Sequence, residues 1–350
     1  MFKARIEKSN LKSLLLIIIT LKACEGVYLQ MKENEIRPKE LLTQYLNLVE
    51  LDSKKLDKAQ FLTIDCPGCG SSKYRTHIQK NDFTYVLCQD CGSLFCNPRP
   101  FESILDRFYK TAESSRFWSE VFFPAVAESR REKLFRPKAK RIFEYFKKEN
   151  FEPAEICDVG SGYGIFLEEL RRYFVSSDVF GIEPSPTMAE ISTKKGIETL
   201  NAVAEDSSEW SGRFDLVISS EVIEHVFSVS KFISSIFNLV KPNGYCLLTG
   251  LGYEGFDILT LQERSNSIFP PHHLNFMSIQ GFELAFKNVG FSKVEVLTPG
   301  ELDVDIVLNS GYKNEFLRVL KERGAKASSE FQSFLKKYKL SSHIWIFARK

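Results

Sequence analysis

The stretch Glu155-Ile-Cys-Asp158-Val-Gly160-Ser-Gly162-Tyr-Gly164 constrains this chain more than any other. An apolar run ends in an acid, three alternating glycines follow, and Ile165-Phe166-Leu167-Glu168-Glu169-Leu170 opens a helix. The pattern is that of a strand turning tightly into a helix, and it sets backbone amides and a carboxylate around a bound small molecule. Glycines alone carry little weight, because any tight corner can want positive φ. The surroundings decide.

Downstream, the alternation of elements is regular. The periodicity predicts a helix over 165–174, a strand over 179–183, a helix over 186–195, a short strand near 199–200 and an apolar strand over 214–219. A helix over 229–240 should stop at Lys241-Pro-Asn-Gly244, before a strand over 245–249. Residues 278–289 read as helix, 294–297 as strand, 314–338 as largely helical and 344–347 as a terminal strand. Strands alternating with helices imply an α/β fold with a parallel, doubly wound sheet that takes its ligand at the carboxyl ends of the strands. On that scaffold Glu183 ends the second strand about twenty residues past the glycines, where a carboxylate accepts hydrogen bonds from ribose hydroxyls. The turn's amides would meet a negative group, either a pyrophosphate or the carboxylate of an amino-acid-like cofactor. Dinucleotide turns favour Gly-x-Gly-x-x-Gly, whereas this one is Gly-x-Gly-x-Gly with Asp158 before it.

At 350 residues the chain can hold a full α/β domain plus a smaller one. Its net charge of +2, without a long basic block, argues against a nucleic-acid or membrane surface. Four of the eight cysteines form two tight pairs, Cys66-Pro-Gly-Cys69 and Cys88-Gln-Asp-Cys91. Two such knuckles bring four thiolates into a tetrahedron around zinc, which makes 61–100 a zinc ribbon. Four thiolates leave no open position, so the metal reads as structural. Cys24, Cys96, Cys157 and Cys246 read as small apolar residues, and His77 as a surface residue rather than a fifth ligand. Metal-binding cysteines point to a reducing, cytoplasmic setting.

Residues 1–60 read as a leader and an amphipathic helix. The apolar run from Leu14 to Leu21 is far short of the roughly 20 residues that span a bilayer. It resembles a secretory signal, and Leu21-Lys-Ala-Cys24 a lipoprotein site broken by Lys22; the preferred reading starts translation at Met31. In 101–150, Ala139, Ile142, Phe143 and Phe146 form a helical stripe, read as linker helices covering one edge of the sheet. The catalytic domain is then 151–350.

The ordered set Asp158-Val-Gly-Ser-Gly-Tyr-Gly164, Gly181-Ile-Glu183-Pro-Ser185, Ala204-Glu-Asp206 and Phe214-Asp-Leu-Val-Ile-Ser-Ser-Glu-Val-Ile-Glu-His225-Val resembles the successive motifs of class I S-adenosylmethionine-dependent methyltransferases. The ribbon, its Pro-Arg-Pro exit and the tail through Pro270-Pro-His-His-Leu-Asn-Phe276 are similar to a bacterial subgroup linked to surface-polysaccharide and sugar modification. The resemblance implies a doubly wound, Rossmann-like methyltransferase sheet behind a small N-terminal zinc-ribbon domain. It implies that Gly160, Ser161, Gly162, Tyr163 and Gly164 line the methionine part of S-adenosylmethionine and that Asp158 orients it. Glu183 would hold the ribose, Pro184 and Ser185 would flank the adenine, and Ala204, Glu205 and Ser219 would complete the site. Relatives commonly place Asp where this chain has Val203, so adenine recognition falls to the backbone of Ala204-Glu205 or to Asp206.

Methyl transfer is an in-line displacement in which the protein aligns the nucleophile and removes its proton. The candidates for that task are Glu221, His225, His272 and His273. Glu221 and His225, four apart, are expected on one helical face. The sequence Ser219-Ser-Glu221 lacks the Asn/Asp-Pro-Pro-aromatic turn of base N-methylating enzymes, which leaves a hydroxyl or activated carbon of a sugar or nucleotide-sugar as the expected acceptor. The alternatives are RNA methylation and a non-catalytic cofactor-binding assembly protein.

Overall fold

The computed structural model describes residues 31–350, and the leader readings on residues 1–30, with Cys24, lie outside the described residues. Seven strands form the central sheet: β1 (Glu155–Val159), β2 (Asp178–Ile182), β3 (Glu198–Leu200), β4 (Phe214–Ser220), β5 (Val240–Leu251), β6 (Lys293–Leu297) and β7 (His343–Arg349). Their order is β6-β7-β5-β4-β1-β2-β3. The five strands from β3 to β5 pair in parallel. The chain starts at β1, moves outward to β3 and then returns to the other side of β1 as β4, so the strand order reverses between β1 and β4. That is where a sheet of this kind opens a crevice. Register brings the ends together: Val159 pairs with both Ile182 and Ser219.

The helices that pack here are α1 (Lys39–Ser53), α2 (Glu102–Thr111), α3 (Arg136–Lys148), α4 (Ile165–Arg171), α5 (Pro186–Lys194), α6 (Val229–Leu239) and α7 (Ile279–Val289). Alternate residues of each strand serve opposite faces. Ile156, Leu216, Ile218 and Leu247 pack under Ala139, Ile142 and Phe146 of α3 and Phe166, Leu167 and Leu170 of α4. Cys157, Val217, Cys246 and Leu248 pack under α6 and α7. Both faces are therefore covered, which is why the central strands read as continuous apolar runs.

Several expectations change in detail. Helix α3 covers a face of the sheet, not an edge, because its apolar stripe is wide enough to sit across β1, β4 and β5. The sheet is not wholly parallel: β7 runs antiparallel to β5 and β6. Residues 298–342 leave and rejoin the sheet at its carboxyl end, so the strand that follows can only run backwards. That excursion contains the helices Asp303–Asn309, Glu315–Glu322 and Gly324–Lys337, the first of which carried no clear periodicity. Strand β5 begins at Val240, with a register break before Tyr245 where the turn signal lies.

Ahead of the sheet, strands Tyr74–Lys80, Phe83–Cys88 and Leu94–Cys96 form the ribbon. Its sheet is completed by Asn275–Phe276 from the far end of the chain, paired with Leu94–Cys96. Arg99, fully buried, donates to the carbonyls of Cys96, Phe227 and Leu274, tying the ribbon exit to two loops above the central sheet. Among the described residues, no helix is long and apolar enough to cross a membrane. Phe146 is 0% exposed and touches Tyr245 and Phe347 across the sheet. Phe146→Ala should lower unfolding free energy by about 3–5 kcal/mol in a denaturant titration, with little change in metal content.

Candidate functional site

The glycine turn is held shut by its own bonds. The amides of Gly160 and Ser161 donate to the Ile182 carbonyl, at 2.8 and 3.2 Å, and that of Gly164 donates to Ser161. Gly162 N–H donates to Glu183 Oε2 at 2.8 Å, while Glu183 Oε1 accepts from Ser185 N–H at 2.8 Å. These four amides therefore do not form the anion cradle that the sequence suggested; they clasp the turn to the end of β2. Gly160 has φ +79°, and a Cβ there would lie 2.5 Å from a Val222 methyl, so only glycine lets the loop after β4 lie over the turn. Likewise a Cβ on Gly181 would meet Ser161 Oγ at 2.6 Å.

What the turn presents is acidic. Asp158 is buried, its Oδ1 has no partner, and burial pushes its carboxyl up to about 7, with Lys138 pulling it down and Glu183 adding to the rise. Ser161 Oγ is also buried without a partner. Burial raises Glu183 as well, against its two amide bonds. Tyr163 stacks on Phe123 and donates to the Ser119 carbonyl at 2.5 Å, fastening the turn to the helical segment before α3.

The remaining predicted residues divide by what they touch. Pro184 leads into Ser185, whose hydroxyl caps α5 at Met188. Ala204–Asp206 form a single helical turn beside α6, with Ala204 buried and Glu205 exposed. Ser219 Oγ donates to the Val159 carbonyl at 2.9 Å and so fixes β4 to β1.

Residues 221–225 are a turn, not the helical face expected, because Glu221 has φ +56° and its amide donates to Thr249 on β5. The two side chains consequently part. Glu221 Oε1 accepts from Thr249 Oγ1 at 2.8 Å and lies 3.5 Å from His343 Nδ1 and 3.9 Å from Lys138 Nζ. Burial opposes its charge, but His343, Lys138 and Thr249 outweigh that and hold the carboxyl well below its usual range. His225 points the other way, 3.2 Å from Tyr109 Oη, with its ring centroid 4.6 Å from that of His273. Burial lowers His225 to about 4, and His272 Nε2, 3.4 Å from Ser114 Oγ, to about 3. His272 sits among Tyr45, Phe108, Tyr109 and Phe269 as a packed core residue, not in an open acceptor loop. His273 is buried, depressed well below its usual value, and hydrogen-bonded to the Ser267 carbonyl through Nδ1 at 2.7 Å.

Sequence reasoning missed Lys138, Glu224 and Tyr109. Lys138 is buried in α3, with Nζ donating to Ser220 Oγ at 3.0 Å and Thr249 Oγ1 at 2.7 Å. A lysine one turn before Ile142, on an otherwise apolar stripe, was the available signal. Glu224 is 1% exposed, beside the His225 that the motif did single out.

In the ribbon, Cys66 and Cys88 make matching knuckles. Each accepts from a glycine four residues on, Gly70 or Gly92, and donates five residues on, to Ser71 or Ser93. The sulfurs of Cys66 and Cys91 are 3.5 Å apart, those of Cys69 and Cys88 are 3.6 Å apart, and all four sulfurs lie within 4.8 Å of one another. A tetrahedron with zinc–sulfur bonds of about 2.3 Å has edges of about 3.8 Å, so the four thiolates fit zinc. His77 is outside this cluster and hydrogen-bonds Tyr253 at 2.6 Å.

Comparison with known proteins adds a domain match. Residues 127–296 match a family model described as a methyltransferase domain. Ubiquinone biosynthesis O-methyltransferases are similar over part of the chain: that of Azorhizobium caulinodans is 29% identical over 102 residues, 27% of this chain and 40% of that protein. That of Rhodopseudomonas palustris is 34% identical over 106 residues, 29% of this chain and 41% of the relative. The chain thus spans about two fifths of the length of these relatives. Among solved structures, a plantazolicin methyltransferase in complex with a triazolic desmethylPZN analog and S-adenosylhomocysteine is 16% identical, covering 71% of this chain and 94% of that one with a TM-score of 0.47. A methyltransferase from Thermotoga maritima is 19% identical, covering 66% and 99% with a TM-score of 0.44. The match is to a methyltransferase domain and takes in just under half of this chain.

If the ribbon holds zinc, Cys69→Ser should cost one equivalent by elemental analysis, and Co2+ in its place should give the strong near-ultraviolet band of thiolate ligation in the wild type.

Proposed function

We propose that this chain transfers a methyl group from S-adenosylmethionine to an oxygen of a small-molecule acceptor. The observation that carries this is the pair of buried, unpartnered oxygens, Asp158 Oδ1 and Ser161 Oγ, on the glycine turn of a methyltransferase domain. A buried carboxylate oxygen without a donor wants a cation or an N–H, and the ammonium of the cofactor's amino-acid end is both. Asp158 and Ser161 would hold that end, with Gly160, Gly162, Tyr163 and Gly164 shaping its seat. Glu183 would accept ribose hydroxyls on the lone pairs that its two amide bonds leave free. Pro184, Ser185 and the backbone of Ala204 and Glu205 would border the adenine, and Ser219 would keep the strand ends in register.

When bound, S-adenosylmethionine supplies a methyl carbon on a sulfonium that leaves readily. The chain's own residues must align an acceptor and take up its proton. His225 and His273, uncharged near neutral pH, suit that proton-accepting side, whereas Glu221, ion-paired and held ionised, suits orientation of the strand ends. The names of the O-methylating relatives favour an oxygen acceptor, and a sugar or nucleotide-sugar hydroxyl is the class to test first. We place the protein in the cytoplasm, where a zinc-bound ribbon over 61–100 keeps its thiolates reduced, ahead of helices over 101–150 and a catalytic region over 151–350.

Calorimetric titration with S-adenosylmethionine and with NAD is the first test; binding of NAD alone would overturn the reading. Transfer of labelled methyl to a panel of nucleotide sugars, free sugars and phenols should then give product with at least one oxygen acceptor. Asp158 also predicts a pH dependence. Its carboxyl, lifted to about 7, must lose its proton before it can pair with an ammonium, so cofactor affinity should rise about tenfold per pH unit up to about pH 7 and flatten above it. In Asp158→Asn that slope should vanish and affinity should drop about tenfold or more.

A further inference from the structure

A second group of metal-ligating side chains lies apart from the cysteines. One donor atom from each of Glu224, His225 and His273 falls within 4.8 Å of the others. The three come together because the loop over 272–276 is stitched to the turn after β4: the amides of Leu274 and Asn275 donate to the Glu224 carbonyl, and Asn275 Nδ2 donates to the carbonyls of Ile223 and Val226.

The hydrogen bonds around this group leave it rich in acceptors. A carbonyl can only accept, so the 2.7 Å contact to Ser267 places a proton on His273 Nδ1 and leaves Nε2 bare. Tyr109 Oη donates to the His272 carbonyl at 3.2 Å and can accept from His225 Nδ1, also at 3.2 Å. Glu224 is 1% exposed and its Oε2 has no partner. Burial and the neighbouring Glu221 push the Glu224 carboxyl well above its usual range, Lys138 and Arg37 pull it down, and neither cation bonds Oε2. Two imidazoles oriented through Nδ1 by a carbonyl and a hydroxyl, next to a buried unpaired carboxylate, have the outer bonding that fixes histidine ligands.

We infer that Glu224, His225 and His273 form a second metal site, for a divalent first-row ion such as Mn2+, Fe2+ or Zn2+. Mixed imidazole and carboxylate ligation suits these ions, and three protein ligands leave coordination positions open, unlike the closed thiolate set of the ribbon. An imidazole nitrogen that holds the ion cannot also take up an acceptor's proton, so at His225 and His273 metal binding and the proton-accepting role are alternatives. Metal uptake itself does not depend on methyl transfer, so each can fail without the other.

The test is titration of the full zinc-loaded chain with Mn2+, followed by electron paramagnetic resonance of the free ion, alongside elemental analysis for zinc. Wild type should bind one Mn2+ per chain while keeping the ribbon zinc, and Glu224→Gln and His273→Gln should each weaken Mn2+ binding about tenfold or more with zinc unchanged. Because variants at buried positions can misfold, the wild-type stoichiometry decides first. Wild type that takes up neither Mn2+ nor zinc beyond the ribbon equivalent overturns the site, as do folded variants that bind Mn2+ as tightly as wild type.

Discussion

One buried ammonium organises the carboxyl end of this sheet. Lys138 reaches up from α3 to the hydroxyls of Ser220 and Thr249, and its charge acts on Asp158, Glu221 and Glu224. Burial works against that charge, and the surrounding carboxylates sustain it. Burial raises the carboxyls of Asp158 and Glu224, because unpaired charge is costly in such a place. Glu221 is satisfied by Lys138, His343 and Thr249. Asp158 and Glu224 each keep an unpartnered oxygen. The chemistry these positions ask for is cationic: the proposed cofactor's ammonium would answer it at Asp158, as the proposed divalent ion would at Glu224.

The ribbon has a mechanical role in this arrangement. Its sheet takes Asn275–Phe276 as a fourth strand, Tyr85 Oη donates to the His273 carbonyl at 2.5 Å, and Arg99 bonds Leu274 and Phe227. The loop bearing His272 and His273 is thereby fixed between the ribbon and the turn after β4. A metal in the ribbon would thus stabilise the loop over 272–276 at a distance, through hydrogen bonds and not through chemistry of its own.

Much of this was legible in the sequence, because period and punctuation carried it. Strands β1, β2 and β4 and helices α6 and α7 fall where apolar spacing and caps place them, and the cysteine spacing alone located the ribbon's four sulfurs. The misses share a cause: they depend on contacts between distant segments. A four-residue spacing put Glu221 and His225 on a common face, but a positive φ and a bond to Thr249 turn them apart. Consecutive histidines looked alike, yet the loop sends His272 into an aromatic core and His273 towards His225. Turn amides that suggested an anion cradle are instead bonded mostly to Ile182 and Glu183, which only the approach of β2 determines.

A crystal structure of the full chain with S-adenosylhomocysteine tests the central claim most directly. The account predicts the amino-acid end of the ligand against Asp158 and Ser161 and its ribose hydroxyls on Glu183. A ligand seated away from the Asp158–Gly164 turn, or none at saturating concentration, would contradict it.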